Sequence, residues 1–268
     1  MTYKLIAVDI DGTLLNSKGE LTQKTKEKIL EAVNEGVVFT ISTGRPIQGV
    51  MPLVEKIGLD IPLITYNGSM VLKAKTMEII YSRSLMAEDS KKIFQIGSDW
   101  DMTMMIWSDN KLYSNKENEK SGHYSQITNT PLIVVKSMEE VEAGVTKFLW
   151  YEDENKIKEF MPDLIGRLNS KTVSVHTSRP YFLEFVDSMA SKAIAIEKLG
   201  EVYDIKREEV IAIGDSYNDI SMLEYAGMGI AMDNAPDDIK KIADYVTKSC
   251  DDDGVAHAID RFIFGGKI

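Results

Sequence analysis

The sequence predicts an α/β fold: a doubly wound parallel sheet, of the Rossmann-like kind, with an inserted α+β domain. Three observations lead there. Short apolar runs alternate with helical periodicity at both ends of the chain. Those runs lack the in-out alternation of a half-exposed sheet, as strands covered on both faces do. Between about residues 84 and 189 the texture changes to aromatic-rich strands gathered around two longer helical patterns. The expected division is therefore 1–83 and 190–268 for the sheet domain and 84–189 for the insertion.

The elements follow in order. Leu5 to Ile10 reads as a buried strand, and Asp11-Gly12-Thr13 as the loop after it. Thr22 to Glu35 is helical, with Thr22 as N-cap, Gly36 past the C-terminus, and Ile29, Leu30 and Val33 forming the apolar stripe. Val37 to Ile41 and Pro62 to Tyr66 are the next two strands, separated by a further helical stretch. In the insertion, strands are expected at Thr103–Trp107, Lys147–Tyr151, Lys171–Val175 and Tyr181–Phe185, with helices near Glu88–Ser98 and Glu154–Leu168. The first rhythm then returns: helix Lys192–Tyr203, strand Val210–Ile213, helix Asp219–Ala226, and short strands at Gly229–Ala231 and Tyr245–Thr247. Strands joined through helices imply right-handed parallel crossovers.

Composition narrows the function classes. The chain has 268 residues, 44% hydrophobic, enough for one large core or two unequal domains. No apolar run is long enough to cross a bilayer and no leader-like apolar segment opens the chain, so a soluble, cytoplasmic protein is expected. A single cysteine, Cys250, excludes an internal disulfide and a cysteine-rich zinc site, and reads as a small, partly buried hydrophobe. The formal net charge of −11 argues against nucleic acid or an anionic membrane as the partner. An anionic small substrate remains compatible, because a metal and a few cations set the sign of the field inside a cleft.

Three loops at the carboxyl ends of predicted strands carry the candidate chemistry, where open α/β sheets place their ligands. Asp9 and Asp11, followed by Gly12, can divide the work of nucleophile and general acid/base, although Asp-x-Asp-Gly also occurs in plain turns. In Gly214-Asp215-Ser216-Tyr217-Asn218-Asp219, Asp215 is a hard oxygen ligand suited to magnesium, with Asn218 and Asp219 as orienting neighbours; a capped helix start reads equally well. Ser42-Thr43-Gly44-Arg45-Pro46 offers a hydroxyl and backbone amides to phosphate oxygens, or simply caps a helix. Lys192 opens a helix after the insertion, as many merely solvated lysines do.

Taken together, Asp9 to Leu15, Ser42 to Pro46, Lys192 and Gly214 to Asp219 resemble the four motifs of the haloacid dehalogenase superfamily. More narrowly, the chain is similar to the Cof-type sugar-phosphate phosphatases, those of subclass IIB with a C2-type cap. That resemblance extends over Tyr66-Asn67-Gly68, Pro180 to Glu184 and Ala226 to Ala235. Ala193 departs from the glycine that usually follows the lysine.

The resemblance implies a magnesium-dependent phosphatase acting on a small phosphorylated substrate. Asp9 would be the nucleophile and a metal ligand. Asp11 would be the general acid/base and lend its backbone carbonyl to Mg2+, with Asp215 completing the metal set. Ile10 (by its backbone), Thr43, Gly44, Arg45, Lys192 and Asn218 would hold phosphate. Phosphoryl transfer needs chiefly positioning and charge neutralisation, which this set supplies. The same motifs serve a phosphomutase, which returns the phosphoryl group to a sugar hydroxyl. A receiver-like signalling domain is the non-enzyme alternative, but its phosphorylated Asp should end the third strand, where this chain has Tyr66-Asn67-Gly68. His123, His176 and His257 lack ligand-like spacing, the three tryptophans read as core of the insertion, and Asp251 to Gly254 as a solvated turn and helix cap.

Overall fold

The computed structural model describes residues 2–266. The chain divides into two compact units: one from the segments up to Arg45, Val50–Tyr81 and Ser191 onward, the other from Pro46–Gly49 and Ser82–Ala190.

The first unit opens with β1 (Leu5–Val8), buried throughout, and α1 (Gln23–Asn34). Thr22 caps α1, its hydroxyl accepting the Thr25 N–H, and Gly36 takes a left-handed conformation just beyond the helix. The fully buried members of the apolar face are Ile29 and Ala32; Leu30 and Val33 lie at its margin. β2 (Val38–Ser42), α2 (Met51–Ile57) and β3 (Pro62–Thr65) follow. Beyond β3 the chain turns back as β4 (Met70–Lys73) and then β5 (Ile79–Ser82), two strands that the sequence did not announce.

The second unit comprises α3 (Ala87–Asp99), β6 (Thr103–Ser108), β7 (Lys111–Ser114), α4 (Glu119–Thr128), β8 (Leu132–Val134), β9 (Val145–Tyr151), α5 (Glu154–Leu168), β10 (Val173–Arg179) and β11 (Phe182–Asp187). Its six-stranded sheet runs β10-β11-β9-β6-β7-β8, antiparallel except for β7 with β8. Side chains alternate across a strand. Phe148, Trp150, Leu183 and Phe185 accordingly join Ile93, Ile96, Ile157 and Leu164 of α3 and α5 in one core. On the other face Trp107 donates its indole N–H to the Tyr124 hydroxyl of α4 at 3.1 Å.

That other face also carries a buried ion pair. Lys147 Nζ lies 3.1 Å from Glu184 Oε1, which also accepts the Ser178 hydroxyl at 2.8 Å, and His176 Nε2 is 3.5 Å from Oε2. Burial alone would raise the Glu184 pKa; Lys147, His176 and Ser178 overcome it and hold the carboxyl down to about 2. A depressed carboxyl contributes stability above its ordinary range and loses it as pH falls through the folded value. Glu184→Ala should destabilise the chain by about 3–5 kcal/mol, because it removes the carboxylate paired with the buried Lys147 charge. Chemical denaturation at neutral pH measures this, and the difference from wild type should shrink as pH falls toward 2, where Glu184 is itself protonated.

The chain then returns to the first unit as α6 (Lys192–Tyr203), β12 (Val210–Gly214), α7 (Ile220–Tyr225), β13 (Met228–Ala231), α8 (Asp237–Ile242), β14 (Tyr245–Val246) and α9 (Gly254–Phe262). The eight-stranded sheet has the order β14-β13-β12-β1-β2-β3-β4-β5. From β14 to β3 all neighbours are parallel, and β4 is antiparallel to β3. Leu5 and Ala7 of β1 pack with Ala195, Ile196 and Leu199 of α6 and Met222 and Leu223 of α7. β1 is flanked by β2 on one side and by β12 on the other, so its carboxyl end is a point where the winding reverses. No helix among the described residues is long and apolar enough to cross a membrane.

Candidate active site

The loops after β1, β2 and β12 meet at that reversal point. Asp9 directly follows β1, with its N–H donated to the Ile213 carbonyl of β12 at 3.0 Å. Lys192, in the first turn of α6, is presented by the Ser191 cap, whose hydroxyl accepts the Ile194 N–H. Its ammonium is fully buried and lies 2.6 Å from Asp9 Oδ1 and 2.6 Å from Asp219 Oδ1. A buried lysine keeps its charge only when paired in this way.

Asp215 lies beside them. Its Oδ1 accepts the Thr13 hydroxyl at 2.8 Å, which ties the loop after β1 to the loop after β12. The second oxygen of Asp219 accepts the backbone N–H groups of Asp215 and Ser216 at 3.1 and 3.0 Å. Gly12 has φ of 79°, and a Cβ there would stand 2.4 Å from Asp215 Oδ2. Only glycine allows that approach. The Gly12 carbonyl accepts the Asn234 side-chain amide at 2.8 Å, and Asn234 Oδ1 accepts the Cys250 N–H at 2.9 Å.

The electrostatics favour a cation. One carboxylate oxygen from each of Asp9, Asp215 and Asp219 lies within 4.8 Å of the others. Burial is the main cause that raises Asp9 to about 8; Lys192 opposes it, and Asp219 and Asp215 add to it. Burial likewise lifts Asp215 to about 6, against the Thr13 hydrogen bond and with help from Asp219. Burial would lower Lys192, but Asp219 and Asp9 outweigh it and hold its pKa above the usual lysine value. Three carboxylates share one ammonium, so negative charge is in excess. Hard oxygen donors with excess charge fit magnesium. Asp219 has one oxygen on Lys192 and the other on two backbone amides, which leaves Asp9 and Asp215 as the side chains able to hold the ion.

The remaining expected residues stand around this cluster. Thr43 is buried, and its hydroxyl accepts the Arg45 N–H at 3.2 Å. Gly44 packs against Asn67, and Asn218 donates its amide to Asn67 Oδ1 at 3.1 Å. The Ile10 side chain is buried, with its carbonyl accepting from Leu15 N–H at 3.0 Å. Asp11 points away from the acidic cluster: its carboxylate is exposed and gripped by Arg45, through Nη2 at 2.5 Å and Nε at 2.9 Å. Only its backbone stays on the loop beside Asp9. The sequence reads Asp219 as an orienting neighbour of Asp215 and gives Thr13 and Asn67 no role at the site. Thr13 and Asn67 lie within stretches that carry the family resemblance, but the contacts of all three join residues far apart in the chain, so nothing local shows what they touch. His123 meets Tyr151 Oη and His257 meets Thr247 Oγ1, each at 3.1 Å, outside this cluster.

Residues 6–259 match the sequence profile of the haloacid dehalogenase-like hydrolases, and the chain belongs to that family. It is an enzyme of the hydrolase class. The 5-amino-6-(5-phospho-D-ribitylamino)uracil phosphatase YwtE of Bacillus subtilis is 31% identical over 98% of this chain and 99% of its own length. A haloacid dehalogenase-like hydrolase from Bacteroides thetaiotaomicron, known as a crystal structure, superposes with a TM-score of 0.87 at 32% identity and covers 97% of this chain and 99% of itself. The subclass IIB sugar phosphatase BT4131 superposes with a TM-score of 0.80 at 26% identity, over 97% of this chain and 98% of its own.

Proposed function

We propose that this protein is a magnesium-dependent phosphatase of small phosphate monoesters, sugar phosphates foremost, working through an aspartyl phosphate on Asp9. The observation that carries the reading is the buried Asp9–Lys192–Asp219 chain of contacts beside Asp215. The relatives named above support the substrate class, since one is a sugar phosphatase and the other's named substrate carries its phosphate on a ribityl chain.

In this mechanism Lys192 opposes the effect of burial on Asp9, favouring its carboxylate form, and aims one of its oxygens. That oxygen attacks phosphorus while the bond to the leaving oxygen breaks, and Asp11 delivers the proton that the leaving oxygen needs. For this Asp11 has to part from Arg45, which then has a phosphate oxygen to bind instead. A water molecule next attacks the phosphorus, gives its proton to Asp11, and releases inorganic phosphate with Asp9 regenerated. Thr43, the Gly44 and Ile10 amides and Asn218 hold the non-reacting oxygens in place. Asp9, Asp215 and the Asp11 carbonyl would hold magnesium, which when bound would supply the positive charge that lets a dianionic ester approach a carboxylate.

The test is release of phosphate from a panel of sugar phosphates, polyol phosphates and nucleotides, followed by 31P NMR. Free phosphate is expected; an isomerised ester instead would make the protein a mutase, and no change in any ester would overturn the reading. Activity should disappear in EDTA and return with magnesium. The metal-free protein gives a second measurement. Asp9 and Asp215 are raised above the ordinary carboxylate range, so the stability they contribute is fully present below that range and is lost as pH rises from there to about 6 for Asp215 and to about 8 for Asp9. Thermal unfolding in EDTA should therefore move to lower temperature over that interval, and magnesium should restore most at its upper end.

A further inference from the structure

Tyr66, Asn67 and Gly68 have φ of 51°, 54° and 96°, three left-handed residues in succession. Glycine adopts this region freely and asparagine tolerates it, but for a bulky, fully buried tyrosine it is an outlier. The hairpin itself does not require the strain. Thr65 pairs with Met70, and a four-residue connection of that kind is ordinarily built around a type I turn, whose central residues have negative φ. Such strain persists when surrounding contacts impose it, and it gathers where a side chain has to be aimed.

The contacts around this turn show what is aimed. Tyr66 donates its N–H to the Arg45 carbonyl at 3.2 Å and Asn67 to the Thr43 carbonyl at 3.0 Å, so the turn is fastened to the loop after β2. A Cβ at Gly68 would stand 2.1 Å from the Ser191 carbonyl, so the turn also abuts the cap that presents Lys192. A Cβ at Gly44 would stand 2.9 Å from Asn67 Oδ1: glycine at 44 leaves the space that the Asn67 side chain fills. There Asn67 Oδ1 accepts the Asn218 amide at 3.1 Å. Asn218 sits on a short 3-10 turn and is exposed, so nothing in its own element fixes its rotamer. An accepted hydrogen bond from one of its two N–H groups sets the plane of the amide and leaves the other N–H directed outward.

We infer that Asn67 is a positioning residue of the active site, which fixes the Asn218 amide so that its second N–H meets an oxygen of a tetrahedral phosphate-like anion. The inference rests on the reading of this site as a phosphate site. Binding of orthovanadate to the full-length, magnesium-loaded protein, followed by calorimetry, tests it without turnover. Asn218→Ala should weaken binding roughly tenfold, the scale of one hydrogen bond to a charged group. Asn67→Ala should do the same, and the double variant should bind no more weakly than Asn218→Ala alone, because both substitutions remove one contact. Asn67→Gly separates strain from side chain. It suits the left-handed backbone and should unfold at or above the wild-type temperature, yet lose the same affinity.

Wild-type affinity in Asn67→Gly would overturn the assignment, and so would losses that multiply in the double variant. A wild-type protein that binds vanadate but releases no phosphate from any ester would refute the phosphatase reading while the Asn67 comparison still stood. One that binds neither vanadate nor phosphate would refute both.

Discussion

Asp9→Asn should abolish phosphate release, by at least about a thousandfold, because no other carboxylate in the cluster can take its place as nucleophile. The same substitution should leave the metal-free protein at least as stable as wild type at pH 8. Asp9 is buried among acids and its pKa is raised to about 8, so ionising it costs folding free energy that a neutral amide does not incur. Lys192 keeps Asp219 as its partner in the variant. Phosphate-release assays and thermal unfolding in EDTA together give the result. Residual turnover near wild type, with the fold intact, would remove Asp9 from its role.

Lys192→Met should be the more damaging change to the fold. The ammonium lies 2.6 Å from both Asp9 and Asp219, and its removal leaves two buried carboxylates facing each other beside a third. Breaking a buried ion pair by removing one member costs about 3–5 kcal/mol. Adding Asp219→Asn to Lys192→Met should recover part of that loss without recovering activity, since the second change removes a stranded charge but restores nothing to Asp9. Denaturant midpoints of the two variants decide this. Equal midpoints would mean that the Asp219 charge is not what the lysine compensates.

Much of this was legible in the sequence, for identifiable reasons. β1, β2, β3 and β12 are buried, mostly apolar runs, and their covered faces write that pattern directly into composition. α6 begins at Lys192 and ends at Tyr203, as its periodicity indicates. β10 runs Val173–Arg179, later than the expected 171–175, because at the sheet edge its side chains are half-exposed and lack an apolar rhythm. α4 went unseen since Glu119–Thr128 has no apolar stripe; its one local sign was Asn118 and Ser121, which form a reciprocal cap. α9 is different. Val255, Ala258, Ile259 and Phe262 have helical spacing, and Asp253 of the acidic run before them stands at the helix N-cap. That run is not merely solvated: Asp251 accepts the Ser17 N–H at 2.9 Å and Asp253 the Thr22 hydroxyl at 2.6 Å.

At the site, the residues with chemical character were visible and their partners were not. Asp9, Lys192 and Asp215 are set at strand ends or a helix start, where sequence position and chemistry coincide. Asp219 looks from its neighbours like an acid at a helix N-terminus, and its bond to Lys192 exists only after the chain has closed. Thr13 and Asn67 are the same case, paired with Asp215 and Asn218 from the opposite end of the chain.

The pairing of β1 with β12, Leu5 opposite Val210, has a consequence for how the protein is made. On the ribosome, the strand that leads into Asp9 emerges first and waits for its neighbour until nearly the whole chain has been synthesised. Until then β1 has an unpaired edge, the kind of exposed template that invites association with other chains. Ser82–Ala190 meanwhile contains every strand of its own sheet and can close as soon as it leaves the exit tunnel. The insertion should thus fold before the sheet that precedes it. Catalytic competence would arrive last, in one step, when the segment from Ser191 docks and brings Lys192, Asp215 and Asp219 to Asp9.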